Sequence, residues 1–265
     1  VPDSCQGLAD LYIQCPLNLN LSEGRNIGVY FAQGQIGVFL DDDASVESGY
    51  LTSIASAFQT YEIAGLRGKT LSKSKNSGDS DCQIYNLGDR PFACLCNQEG
   101  NSAFRLDCWR AAGGMDPLLF GHEGSDLTAR LIQLYGPASV IYWPQAIIYH
   151  DYGPTDKARE KQDRYWRNRQ YLEYKFDADV IAIKDRLAQT ALRRKGEGFV
   201  PGFAGLPPVD RSIQRSGVSS APRVSILMTC YNAQLYLQEC LDSLLGQTLQ
   251  DWELIVIDDG STDQT

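Results

Sequence analysis

Short apolar runs alternate with segments of helical spacing along most of the chain. The apolar runs predict strands at residues 11–15, 36–40, 60–65, 102–106, 139–143 and 146–150. Helical spacing follows Ser22, returns at 45–58 and is clear within 120–135, where Leu127, Leu131, Ile132 and Leu134 form an apolar face. Residues 66–91 are polar, with Gly and Ser, and predict a long insertion. Strands that alternate with helices predict an α/β fold.

The C-terminal part has a different character. Residues 194–222 are rich in Gly, Pro, Ser and Arg without an apolar period and predict a linker. After it, RVSILMTCYN is a predicted strand, LYLQECLDSLLGQ an amphipathic helix and ELIVID a second strand. Two strands with near-continuous apolar residues around one helix are typical of a parallel βαβ unit. The carboxyl end of such a strand is where ligands bind in open α/β sheets.

Composition narrows the classes of function. The chain has 265 residues and a formal net charge of -9, from 33 acidic and 24 basic residues. This balance argues against a nucleic-acid partner, including RNA binding by the segment RYWRNRQYLEYK, because phosphate neutralisation needs a basic face. We find no apolar run of about 18 residues and no signal peptide, so we expect no transmembrane segment and a cytoplasmic protein. Its eight cysteines are expected to be reduced.

An acidic cluster follows one predicted strand directly. Asp41, Asp42 and Asp43 come after IGVFL, and crowded carboxylates raise each other's pKa unless a cation lies among them. Carboxylate oxygens suit Mn²⁺ or Mg²⁺, which complete their coordination with phosphate oxygens of a substrate. His150, at the end of AIIYH, is a candidate further ligand. The alternatives are a solvated acidic turn and a structural histidine.

Two more acidic residues begin a predicted helix. Glu123 and Asp126 lie three residues apart, where the helix dipole favours negative charge. One interpretation makes one of them a general base, and the other makes both of them capping residues. Asp258 and Asp259, after the last strand, allow a similar choice between a binding role and a turn.

At these residues the sequence resembles a known family. Residues 223–265 resemble the opening of a family-2 glycosyltransferase of the GT-A fold, which forms the uridine-binding half of its nucleotide-sugar site. SEGRNIGVYFAQGQIGVFLDDD, residues 22–43, resembles a later part, and residues 100–136 and 141–150 resemble the acceptor-side half. The resemblance implies a Rossmann-like, mostly parallel central sheet flanked by helices, with the first βαβ unit supplied by the C-terminal segment.

The resemblance also implies roles for individual residues. Thr229 and Tyr231 would border the uracil, Asp259 would bind the base or ribose, and Arg25 would lie near the base and diphosphate. The DxD element would be Asp41, Asp42 and Asp43, in which Asp41 touches the ribose and Asp43 holds the metal. His150 matches a further metal or phosphate contact, and Glu123 lies in the acidic motif that supplies the base, with Asp126 as the second choice.

The chain departs from the family pattern twice. Gly124 stands where the family commonly has the base aspartate, and the donor-binding segment follows the DxD segment instead of preceding it. The order suggests a fragment of a tandem transferase, a circular permutant completed within one chain, or a segment-exchanged dimer. The expected parts are a DxD and acceptor-side part (1–155), a helical extension (156–193), a linker (194–222) and a nucleotide-binding unit (223–265).

The expected function is that of a metal-dependent glycosyltransferase for polysaccharide biosynthesis. It would move a sugar from a nucleotide-diphosphate donor, expected to be a UDP-sugar, to a hydroxyl of a glycan acceptor, with inversion. The alternatives are a catalytically impaired domain that binds the donor or acts as a scaffold, an incomplete fragment of a tandem transferase, and a nucleotidyltransferase.

Overall fold

The structure is a computed structural model that describes residues 8–73, 85–97, 99–151, 158–193 and 221–265. The strands are β1 Leu11–Gln14, β2 Ile36–Asp41, β3 Ser45–Val46, β4 Gly65–Leu71, β5 Phe92–Ala93, β6 Asn101–Arg105, β7 Val140–Tyr149, β8 Val224–Cys230 and β9 Trp252–Asp258. The helices are α1 Leu21–Phe31, α2 Tyr50–Thr60, α3 Leu106–Ala112, α4 Glu123–Tyr135, α5 Ala158–Lys175, α6 Ala178–Arg193 and α7 Leu237–Leu245.

All the described strands belong to one sheet. Their order is β1-β9-β8-β2-β6-β4-β7-β3, and β5 pairs with β7. Strands β1, β9, β8 and β2 are parallel neighbours, and β4 and β7 form a second parallel pair. The antiparallel strand β6 lies between β2 and β4, so these two run in the same direction. The carboxyl ends of β1, β9, β8, β2, β4 and β7 therefore all point to the same edge.

Helices cover both faces of the sheet, as expected for an α/β fold. Successive residues of the central strands alternate between two cores: Ile226 and Met228 enter one, and Leu227 enters the other. Buried residues of α2 and α7 complete the first core, and those of α1, α3 and α4 complete the second. This two-sided burial explains why the strands are almost continuously apolar. The GT-A, Rossmann-like fold class is confirmed.

The C-terminal unit lies inside the sheet of its own chain. Strand β8 pairs with β2 from Ile36↔Val224 to Asp41↔Thr229, and β9 lies between β8 and β1. The sheet thereby buries both faces of β2 and β8. The linker predicted at 194–222 lies, apart from its last two residues, outside the described residues.

Several predicted elements differ from those observed. The strand expected at 60–65 was placed wrongly, because α2 continues to Thr60 and the strand is β4, Gly65–Leu71. Most of β4 thus lies in the segment that was interpreted as a polar insertion. The runs at 139–143 and 146–150 form one strand, β7, whose pairing with β4 shifts register near Pro144. Leu134 is about half exposed and does not join the apolar face of α4.

The expected helical extension forms two helices that pack on the rest of the chain. Leu172 and Phe176 of α5 contact Leu119 and Ala129 in a separate apolar cluster. Among the described residues, no helix is long and apolar enough to cross a bilayer. The six described cysteines are buried, whereas Cys5 and Cys82 lie outside the described residues.

Candidate functional site

Two sequence motifs from opposite ends of the chain meet at the carboxyl edge of the sheet. Asp41, the last residue of β2, is in register with Thr229 of β8. Just beyond this pair, the main-chain N–H of Tyr231 donates a hydrogen bond to Asp42 Oδ2 at 3.2 Å. The parallel pairing of β2 and β8 thus brings the acidic cluster next to the residues that follow β8. This edge is the usual ligand-binding edge of an open α/β sheet.

Arg25 supplies positive charge to the first carboxylate. This arginine is buried in α1, and its Nη2 lies 3.2 Å from Asp41 Oδ1. Burial raises the pKa of Asp41, while the Arg25 charge acts in the opposite direction. Because Asp41 also packs against Gly100, where a Cβ would overlap its carboxylate, a larger residue at 100 would displace it.

Asp42 and Asp43 have different electrostatic environments. Burial, followed by the charges of Asp43 and Asp41, raises the pKa of Asp42 to about 7. Burial alone would also raise the pKa of Asp43, but the hydrogen bond and charge of His150 outweigh it and lower that pKa. Conversely, burial would lower the pKa of His150, and Asp43 raises it overall. The pair is close, with 3.0 Å between His150 Nε2 and Asp43 Oδ1.

This pair is the part of the site that fits a divalent cation. Asp43 and His150 direct an oxygen and a nitrogen toward each other, and two more carboxylates lie nearby. The described residues contain no group of three side chains arranged to hold an ion. A cation at Asp43 and His150 would therefore need ligands from a bound substrate, as Mg²⁺ sites that use phosphate oxygens do.

The residues expected around the uracil lie at the carboxyl ends of β8 and β9. Thr229 is buried, and its Oγ1 has no hydrogen-bond partner in the described chain, although it is a donor and an acceptor. The side chain of Tyr231 is 50% exposed at the same edge. Asp259 is already engaged, because Oδ1 accepts from the N–H of Leu19 at 2.6 Å and Oδ2 from the N–H of Asn20 at 3.1 Å.

The two candidate bases on α4 have different surroundings. Asp126 is fully buried and forms ion pairs with Arg130 and with Lys175 of α5, whose Nζ lies 2.6 Å from Asp126 Oδ1. These contacts hold it at the packing surface between α4 and α5. Glu123 is also buried, at the first residue of α4 and one residue after His122, whose φ of 76° is left-handed. The structure thus brings Glu123 and Asp126 into one helical turn, and of these two only Asp126 forms ion pairs with the described residues.

Sequence reasoning missed a third carboxylate at this place. Glu99 precedes Gly100 and is partly exposed, and its Oε1 accepts a hydrogen bond of 2.7 Å from the N–H of Gly124. No apolar period or acidic cluster marks Glu99 in the sequence. The available signal was its position just before β6, since an antiparallel strand begins at the edge where its parallel neighbours end. Asp258 was similarly underestimated, because it accepts hydrogen bonds from the Tyr12 hydroxyl and the N–H of Ser261.

Comparisons with known proteins agree with this geometry. The family model "Glycosyl transferase family 2" matches residues 10–91 and 225–265, which are the two parts that meet at the edge described above. Hyaluronan synthase of Pasteurella multocida is 45% identical over 53 residues, which are 20% of this chain and 6% of that protein. Chondroitin synthase of P. multocida strain Pm70 gives the same identity and the same shares.

A third relative is the uncharacterized glycosyltransferase EpsJ of Bacillus subtilis strain 168, which is 48% identical over 44 residues. That stretch is 17% of this chain and 13% of EpsJ. The matched stretches thus span only a small part of the curated relatives. The family model nevertheless matches both halves of the site, on strands that pair in one sheet. These matches support glycosyltransferase family 2 as the family that this chain resembles.

Proposed function

We propose that the chain binds a nucleotide-sugar donor, a UDP-sugar, at the edge formed by β2, β8 and β9 and transfers its sugar to a glycan hydroxyl. The observation that carries the proposal is the contact between the two motifs, Asp41 in register with Thr229 and Tyr231 N–H bonded to Asp42. The match to the family model supports sugar transfer as the chemistry. The names of the relatives, hyaluronan synthase and chondroitin synthase, support a glycan as the acceptor.

In this proposal the uracil lies against Thr229 and Tyr231. The buried Thr229 Oγ1 gains the hydrogen-bond partner that it lacks, and the exposed Tyr231 ring packs on the base. Asp259 keeps the loop before α1 in place through Leu19 and Asn20, and any contact with the nucleotide adds to these bonds. Asp41, oriented by Arg25, contacts the ribose.

Asp43 and His150 would hold a Mn²⁺ or Mg²⁺ ion, with Asp41 nearby. When bound, the ion would neutralise the charge that develops on the leaving diphosphate. His150 must be neutral to donate its nitrogen lone pair to a metal, so a bound ion replaces the proton that Asp43 stabilises in the metal-free pair.

Transfer itself requires a base for the acceptor hydroxyl. A carboxylate near the start of α4 takes that proton, and the acceptor oxygen then attacks the anomeric carbon from the face opposite the diphosphate, which inverts the anomer. Of the two carboxylates on α4, the position of Glu123 in the acidic motif favours it over Asp126, and the ion pairs of Asp126 with Arg130 and Lys175 support the same order.

A donor-binding scaffold without transferase activity is the second candidate. Its supporting observation is Gly124, which leaves no carboxylate at a position where the family commonly has one. Both candidate functions predict that the chain binds UDP, but only the transferase predicts turnover of a UDP-sugar.

The distinguishing experiment measures UDP release from a panel of UDP-sugars in the presence of Mn²⁺ and oligosaccharide acceptors. We expect acceptor-dependent UDP release by the parent chain and a loss of at least 100-fold in the Asp43→Asn variant. Asp242→Asn, a substitution at an exposed position on α7, is the matched control and should behave as the parent. UDP binding without any acceptor-dependent release would favour the scaffold.

A further inference from the structure

Gly124 has no space for a side chain. A Cβ built on it would overlap the carbonyl oxygen of Cys96 and would lie 2.6 Å from Glu99 Oε1. The volume in front of the Gly124 backbone is therefore occupied by the Glu99 carboxylate, which is fixed there by the N–H of Gly124. The absence of a side chain at position 124 therefore makes room for the Glu99 carboxylate.

Glu99 lies between the donor side and the start of α4. Strand β6 begins at Asn101, in register with Leu40, so the residues just before it lie beside Asp41 at the carboxyl edge. Gly100 packs directly on the Asp41 carboxylate. The Ser102 hydroxyl donates to the Glu99 carbonyl at 2.8 Å and fixes the main chain of this loop.

The charged groups that face Glu99 come from two helices. They are Arg25 of α1, Glu123 of α4 and, just before α4, His122. Burial, followed by the charge of Glu123, raises the pKa of Glu99, and Arg25 acts in the opposite direction. A raised pKa makes a carboxylate a stronger base, nearer to the pH at which an enzyme works.

Accessibility separates the three carboxylates near the start of α4. Asp126 is 0% exposed and bound in ion pairs, and Glu123 is buried as well, whereas Glu99 is partly exposed. A general base must come within hydrogen-bond distance of the hydroxyl that it deprotonates.

We infer that Glu99 is the general base of the transfer reaction. Its carboxylate occupies the space that a side chain at position 124 would need. This inference rests on the proposed function. The acceptor O–H bond breaks and its proton moves to Glu99 Oε2. The acceptor oxygen forms a bond to the anomeric carbon, the bond between that carbon and the diphosphate oxygen breaks, and its electron pair leaves with UDP. Glu99 then returns the proton to solvent, and Glu123 acts as a positioning residue through its charge.

The test compares Glu99→Gln with Glu123→Gln in two assays, acceptor-dependent transfer and the thermal shift produced by UDP with Mn²⁺. Gln keeps an oxygen for the Gly124 N–H, so we expect Glu99→Gln to fold and to retain the UDP shift. Its transfer rate should fall by about 10²–10⁴-fold, the usual contribution of a general base. Glu123→Gln should lose less than about tenfold.

A second variant guards against a purely structural effect. Glu99→Ala should be equally slow, and added formate should restore part of its transfer rate, because a small carboxylate can occupy the vacated place. Transfer by Glu99→Gln within threefold of the parent, or a loss confined to Glu123→Gln, would overturn the assignment and leave the proposed function intact. If the parent chain transfers no sugar from any donor, both proposals fail together.

Discussion

Negative charge dominates the residues at the carboxyl edge of the sheet. Asp41, Asp42 and Asp43 lie close together there, and the cations in contact with them are Arg25 and His150. Burial and the repulsion from Asp43 and Asp41 raise the pKa of Asp42 to about 7. An ion bound with the donor diphosphate would remove this repulsion, which is why metal and donor are expected to bind together.

Steric exclusion at Gly124 gives a prediction at the residue scale. Gly124→Ala would place a methyl group against the Cys96 carbonyl, a close contact that the backbone must relieve by moving. We expect a loss of about 1–3 kcal/mol in the free energy of unfolding, as for other overpacked sites. Chemical denaturation measures it. Gly246→Ala is the control, because its Cβ would lie 3.7 Å from the nearest atom, and equal stability of the two variants would contradict the packing described.

Asp126 gives a second residue-scale prediction. Asp126→Asn removes a fully buried charge that balances Arg130 and Lys175, and breaking such a pair costs about 3–5 kcal/mol. We expect a lower unfolding midpoint in urea with an unchanged thermal shift on UDP binding, because Asp126 faces α5. The exposed Asp242→Asn is the matched control. A stable variant that no longer transfers sugar would instead identify Asp126 as the base.

The elements differ in how well the sequence specified them. The strands β2, β8 and β9 were predicted to within about two residues, because both faces of each strand are buried and their apolar runs are bounded by polar turns. The edge strand β1 was predicted equally well, although its residues are only partly buried. β4 was misplaced because Arg67 and Lys69 are buried in it, which interrupts the apolar pattern. The positions of Asp41 to Asp43 and Asp259 followed from the ends of strands, whereas Glu99 could be found only by knowing that the strand after it, β6, runs antiparallel to β2.

The packing of α5 on α4 gives the prediction at the element scale. Leu172 is 1% exposed and packs with Phe176, Leu119 and Ala129, whereas Tyr174, two residues away, is 89% exposed. Leu172→Ala should cost about 2–5 kcal/mol of stability, and Tyr174→Ala less than about 0.5 kcal/mol. The unfolding midpoints of the two variants in urea test this. Equal values would mean that α5 does not pack on α4 in solution.

At the scale of the whole molecule, the question is which chain supplies β8 and β9. The structure inserts them between β2 and β1 of the same chain, where they fill the space between two strands that would otherwise be edges. The contacts Asp41↔Thr229 and Tyr231 N–H to Asp42 then form within one molecule. Of the three explanations for the motif order, completion within one chain is the one that we propose.

A mixing experiment tests completion within one chain. Asp43→Asn disables the first part of the site and Thr229→Val the last part, so neither variant alone should show the UDP shift. If each chain completes its own sheet, unfolding and refolding the two variants together should restore nothing. If chains exchange their C-terminal segments, a fraction of dimers would contain one intact site, and a recovered UDP shift would contradict our proposal.

The central claim, that the two ends of the chain form one donor site, is tested most directly by thermal unfolding with UDP. The melting temperature is measured with UDP and Mn²⁺, with UDP and a chelator, and for Asp43→Asn under both conditions. We predict metal-dependent stabilisation of the parent, about 2.7 kcal/mol at 100 times the Kd, which the chelator and Asp43→Asn both abolish. A folded parent chain with the same melting temperature under all conditions would contradict the account.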